Sequence, residues 1–145
     1  MSFEDDLYKE IILENYKSKK HRGSIEAATL ELEGANPLCG DDITLYFQVE
    51  DGIVTETKFE GSGCSICMAS TNLLCSSLEG RSIKDVEGII TQFKGMLLDN
   101  ETPNFPEEIS DLEALEGVKN YPVRIKCAVL PWNTATDMIK ELSNG

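Results

Sequence analysis

Residues 43–61, ITLYFQVEDGIVTETKFEG, decide the fold. Ile43, Leu45, Phe47 and Val49 alternate with Thr44, Tyr46 and Gln48, the period of two that a half-buried strand requires. Asp51-Gly52 then supplies the dipeptide of a type I′ turn, in which both central residues take positive φ. Beyond it, Ile53, Thr55, Thr57 and Phe59 carry the alternation onto a partner strand. Upstream, Leu30 and Leu32 alternate with Thr29, Glu31 and Glu33. A three-stranded antiparallel meander over about 28–60 is therefore expected.

Helical patterns flank this meander. Residues 4–20 place Leu7, Ile11 and Asn15 on one stripe and Tyr8, Ile12 and Tyr16 on the next. KSKKHRG closes that segment with positive charge, and Gly23 breaks it. After EGSGC, residues 65–78 read as a helix. Ser82 and Asp85 resemble an acidic capping box opening another over about 83–97. DNETPNFPEE reads as a linker, and Pro106 opens a shorter helix ending near Lys119. Residues 121–142 are helical again, with Pro131 marking a kink or a helix start. No repeat, low-complexity tract or second core interrupts the chain. Residues 1–145 are thus expected to form a single α+β domain, a small three-stranded antiparallel sheet packed with about five helices.

The chain carries 26 acidic and 13 basic residues, a net charge of -13. That balance argues against nucleic acid and against anionic membranes, and it suits a solvated surface or a basic protein partner. No apolar run approaches the ~20 residues of a membrane span. The first residues, MSFEDDLYKE, lack the charged and apolar regions of a secretory signal, so a cytoplasmic location is expected. The five cysteines are an odd set. In a reducing compartment, metal binding or thiol chemistry outranks a disulfide framework.

Cys39 sits in a turn, ANPLCGDD, with Asp41 two residues on. Cys64 lies where a strand gives way to a helix, and helix N-terminal amides favour a thiolate. An antiparallel hairpin can bring both to one end of the sheet. Cys127, on a separate helical segment, can pack across that end. Cys39, Asp41, Cys64 and Cys127 would make a tetrahedral zinc set of three sulfurs and one carboxylate, though not at zinc-finger spacing. With Zn²⁺ the site carries a formal charge of -2, which Arg124 and Lys126 can partly offset. Cys64-Ser65-Ile66-Cys67 is also a C-x-x-C, the pattern of a redox pair. Cys67 and Cys75 otherwise read as small buried hydrophobes, and Met68, Met96 and Met138 as packing residues. Trp132 reads as an anchor of the core or of an interface. His21, among basic residues, reads as a solvated charge after a helix.

NPLCGD (36–41), GSGCSICMAS (61–70) and RIKCAVLPW (124–132) resemble, in order, the three cysteine motifs of the SufU/IscU (NifU N-terminal-like) family of iron–sulfur cluster assembly proteins. LYKEIILENYKSKKHRG (7–23) is similar to that family's N-terminal segment. The resemblance implies an α+β fold with Cys39, Asp41, Cys64 and Cys127 gathered at an exposed site, and Cys39 on a turn that another protein can reach. Lys126 stands where the IscU branch typically has histidine, and the connection 99–122 is longer than in that branch. Both features look like the SufU branch, associated with zinc and with sulfur taken from a cysteine desulfurase. A protonated lysine cannot ligate a metal as imidazole does. The implied activity is at most that of a sulfurtransferase. Cys39 would accept the outer sulfur of a persulfide on a SufS-like pyridoxal-phosphate desulfurase, with other iron–sulfur assembly proteins as further partners. Two alternatives stay open: a scaffold for a transient Fe–S cluster, and a zinc-stapled binding module.

Overall fold

The computed structural model describes residues 3–144. Helix α1 (Phe3–Lys17) leads into a sheet of β1 (Leu30–Asn36), β2 (Asp41–Glu50) and β3 (Ile53–Ser62). Helices α2 (Ser65–Leu78) and α3 (Ile83–Leu98) follow, then a 3-10 helix (Glu107–Asn120) and the long α4 (Pro122–Asn144). Strand order is β1-β2-β3, antiparallel throughout, as the alternation predicts. No described helix is long and apolar enough to cross a membrane.

At the hairpin tip Asp51 and Gly52 have φ of 53° and 76°, the positive pair of a type I′ turn. The phase of β3 differs from the simple alternation. Gln48 pairs with Glu56 but Val49 with Val54, so Thr55 is an extra residue on the β3 side. This bulge moves Val54 into the core and leaves Thr55 exposed, while Thr57 and Phe59 stay buried.

Helices α2 and α4 pack on the sheet. Ile43, Leu45, Phe47 and Phe59 from the strands meet Cys67, Leu74, Cys75 and Leu78 of α2, and Ala128, Trp132 and Met138 of α4. Helix α2 is buried on nearly every side, and its polar residues find partners inside. Ser70 Oγ donates to the Ala128 carbonyl at 2.6 Å and accepts from Trp132 Nε1 at 2.9 Å, joining α2 to α4. Asn72 donates to Asn15 Oδ1 at 2.7 Å, joining α2 to α1. Trp132 is a core residue, stacked on Phe93 at 4.1 Å. Met68, Met96 and Met138 are packing residues, and so are Cys67 and Cys75. Burial pushes both of these thiols up to about 12, which keeps them protonated.

Some local expectations need correction. Helix α1 stops at Lys17, and His21 is not a solvated charge but only 3% exposed. Residues 21–23 pair along the outer edge of β3: Phe59 N–H donates to the His21 carbonyl and Gly23 N–H to the Phe59 carbonyl, both at 2.9 Å. That pairing turns the ring inward, with Nδ1 3.2 Å from the Thr57 carbonyl and 3.7 Å from Glu79 Oε2. The expected helix after Pro106 is present, in 3-10 form and broken at Ile109 (φ -121°, ψ 19°); Ile109, Leu112, Leu115 and Val118 recur every third residue. Side chains eclipse at that interval in a 3-10 helix, and all four are buried. Helix α4 runs through Pro131, so no helix begins there.

Candidate metal centre

The site lies at the end of the sheet where β1 turns into β2 and β3 runs into α2. Asn36-Pro37 and Gly40 form the turn: Cys39 N–H donates to the Asn36 carbonyl at 3.1 Å and Gly40 N–H to that of Pro37 at 3.3 Å. Gly40 takes φ of 70°, a conformation suited to glycine, and leaves Cys39 half-exposed on the bend. Asp41, the first residue of β2, is buried. Its Oδ1 accepts the Cys64 N–H at 2.9 Å, which fixes the carboxylate against the first turn of α2. Cys64 is the N-cap of that helix, its Sγ accepting the Cys67 N–H at 3.4 Å.

Cys127 arrives from α4, buried and with its thiol 3.7 Å from the Val123 carbonyl. Pro131, four residues on, has no N–H to donate to the Cys127 carbonyl, so the helix is relieved of one internal bond beside the site. The close approach of α4 to the sheet depends on Gly34 of β1, where a Cβ would collide with Thr134 Oγ1.

Donor atoms of Cys39, Asp41 and Cys127 all lie within 4.8 Å of one another. Cys64 stands outside that trio but adjoins it: Asp41, Cys39 and Cys64 all act on the Cys127 thiol. Burial first, then these neighbours, push the Cys127 thiol up strongly, a direction that a bound cation reverses. Asp41 Oδ2 is buried with no hydrogen-bond partner. An acceptor left in this way is costly, and a cation satisfies it. Soft sulfurs plus one carboxylate suit Zn²⁺, whose ~2.3 Å bonds to sulfur fit a pocket of this size. The residues present therefore fit the metal.

Arg124 is exposed, and its guanidinium is held above its ordinary value, chiefly by the Cys64 sulfur and then by Cys127. Lys126 instead edges a shallow depression that it shares with Leu38, Cys39, Pro122 and Val123. Leu38, Tyr121 and Val123 surround the turn with 84%, 65% and 66% of their surface exposed, an apolar collar with no sequence signal of its own. Gly63, just before Cys64, is a further site residue: a Cβ there would stand 2.6 Å from Asp41 Oδ1.

Thiols and a buried carboxylate gathered beside an exposed turn, closed by two helices, define a small α+β protein with a donor group that could hold a metal ion. Residues 7–129 match the family described as NifU-like N terminal domain. The iron–sulfur cluster assembly scaffold protein IscU of Thermotoga maritima is 39% identical over 138 residues, covering 94% of this chain and 95% of that one. The zinc-dependent sulfurtransferase SufU of Bacillus subtilis is 36% identical over 128 residues, covering 88% and 86%. A crystal structure from Fervidobacterium islandicum, described as an assembly scaffold for the SUF system, superposes with a TM-score of 0.82 at 36% identity, covering 90% and 94%. An N-terminal NifU-like structure from Brucella abortus shares the fold, with a TM-score of 0.87 at 23% identity, covering 99% of each chain. The chain belongs to the NifU-like N-terminal domain family.

Proposed function

We infer that this chain is a zinc-holding sulfur acceptor of iron–sulfur cluster assembly, with Cys39, Asp41, Cys64 and Cys127 as ligands and Cys39 as the acceptor. One observation carries the reading. The donors of Cys39, Asp41 and Cys127 converge within 4.8 Å, yet of the three only Cys39 reaches solvent, on a turn rather than a helix or strand. Similarity to the Bacillus subtilis zinc-dependent sulfurtransferase supports the choice of metal. Bound zinc supplies positive charge that keeps the surrounding sulfurs as thiolates.

The donor is a cysteine desulfurase carrying a persulfide. The Cys39 thiolate attacks the outer sulfur; a new S–S bond forms, the donor's S–S bond breaks, and the donor cysteine departs as a thiolate. Arg124 faces the sulfurs and offsets negative charge as the persulfide enters. Leu38, Tyr121 and Val123 offer the apolar rim on which the donor protein seats. Incubation with desulfurase and cysteine, followed by mass spectrometry of each thiol, tests the assignment. Cys39→Ser is expected to lose sulfur uptake and Cys75→Ser to keep it; equal uptake by both variants overturns it. Elemental analysis should find about one zinc per chain.

A second reading is favoured by the name of the Thermotoga maritima relative, a scaffold. There the same residues receive an Fe–S cluster as cargo. Zinc-free protein given iron, sulfide and reductant distinguishes the two: a stable visible chromophore passed intact to an acceptor apoprotein supports the scaffold.

A further inference from the structure

Cys67 has no part in sulfur acceptance, yet it lies directly behind the cluster. It is fully buried in the first turn of α2, and Asp41, Cys64 and Cys39 all lie within its electrostatic reach. Its N–H already rests on Cys64 Sγ. Residues three apart on a helix hold their Cβ atoms about 5–6 Å apart. A disulfide needs about 3.5–4.5 Å. Closing that gap falls to Cys64, whose φ of -68° and ψ of 165° are those of an extended residue outside the helix. Cys39 and Cys127 also adjoin Cys64, but they stand on separate parts of the chain that are fixed by their own contacts. For Cys127 these include the bonds from Ser70 to Ala128 and from Trp132 to Ser70.

We propose that Cys64 and Cys67 form a peroxide-responsive dithiol whose closure to a disulfide withdraws the Cys64 sulfur from the cluster. Cys64 is half-buried, as Cys39 is, whereas Cys67 is sealed inside, so within the pair Cys64 is the one that meets the oxidant. Its sulfur attacks hydrogen peroxide, the O–O bond breaks, the departing hydroxide takes the Cys64 proton to leave as water, and Cys64 becomes a sulfenic acid. The Cys67 sulfur then attacks the Cys64 sulfur from inside the protein. The S–O bond breaks, and the departing hydroxide takes the Cys67 proton to leave as water. Two thiols give up two electrons to one peroxide, and two waters form. On the sulfur-acceptor reading, closure removes one zinc ligand, but the pairing itself requires neither metal nor sulfur donor.

The full chain as isolated, treated with hydrogen peroxide, alkylated, digested and mapped by mass spectrometry, tests this. A Cys64–Cys67 link that dithiothreitol reopens is expected, with Cys39, Cys75 and Cys127 recovered as alkylated thiols. Under the same dose Cys67→Ser should carry Cys64 to sulfinic or sulfonic acid, which dithiothreitol does not restore, while Cys75→Ser should behave as the parent. Cys64 joined instead to Cys39 or Cys127, or Cys67 recovered as a free thiol after oxidation and unfolding, overturns the proposal. Since no desulfurase is present, failure here leaves sulfur acceptance at Cys39 untouched, and the converse also holds.

Discussion

At position 63 a methyl group would stand 2.6 Å from Asp41 Oδ1, too close for the carboxylate to keep its bond to the Cys64 amide. Gly63→Ala should therefore leave the fold intact while displacing Asp41. Groups that orient a ligand typically change metal affinity about 10–100-fold when altered. Competition with a chelator should show weaker zinc retention in that range, with an unchanged far-ultraviolet spectrum. Cys39 was legible as exposed because its neighbours are turn formers, and Cys64 because glycines precede a helical pattern. The role of Gly63 was not legible, since it depends on where the Asp41 carboxylate points. His21 was misread for a related reason. Its neighbours Lys19 and Lys20 are exposed, as a basic run suggests, but its own partners Thr57 and Glu79 are remote in the chain.

Between elements, the decisive contact joins β1 to α4. Gly34 lets Thr134 lie against the strand, and so sets how α4 carries Cys127 over the end of the sheet. Gly34→Ala should cost about 1–3 kcal/mol, the usual range for overpacking. Thr134→Ala in the same chain should recover part of that, because it removes the colliding hydroxyl. Chemical denaturation of the two single variants and the double variant measures the coupling. Strand existence and pairing were readable from the alternation and from Asp51-Gly52. The extra residue at Thr55 was not, because Ile53, Thr55 and Thr57 continue a plausible pattern that only pairing with β2 rephases. In the segment after Pro106 a helix was legible, and its apolar residues at intervals of three fit the 3-10 form, whose turn is three residues.

For the molecule as a whole, α2 and α4 act as one body. Trp132 stacks on Phe93 of α3 and donates to Ser70 of α2, so a single side chain ties three helices together. Trp132→Phe keeps a ring in place and forgoes the hydrogen bond, for an expected loss of about 1–2 kcal/mol. Trp132→Ala should cost about 3–5 kcal/mol by emptying the centre of the core. Urea unfolding monitored by circular dichroism separates the two. The α+β architecture was visible in the order of patterns along the chain, but the meeting of its distant parts rests on packing that no local pattern records. Cys39 and Cys64 belong to the hairpin and its exit, whereas Cys127 comes from the last helix. During synthesis the hairpin leaves the ribosome well before that helix does. A nascent or truncated copy thus holds two of the sulfurs without the third, and tight capture of a cation becomes a mark that separates finished molecules from unfinished ones.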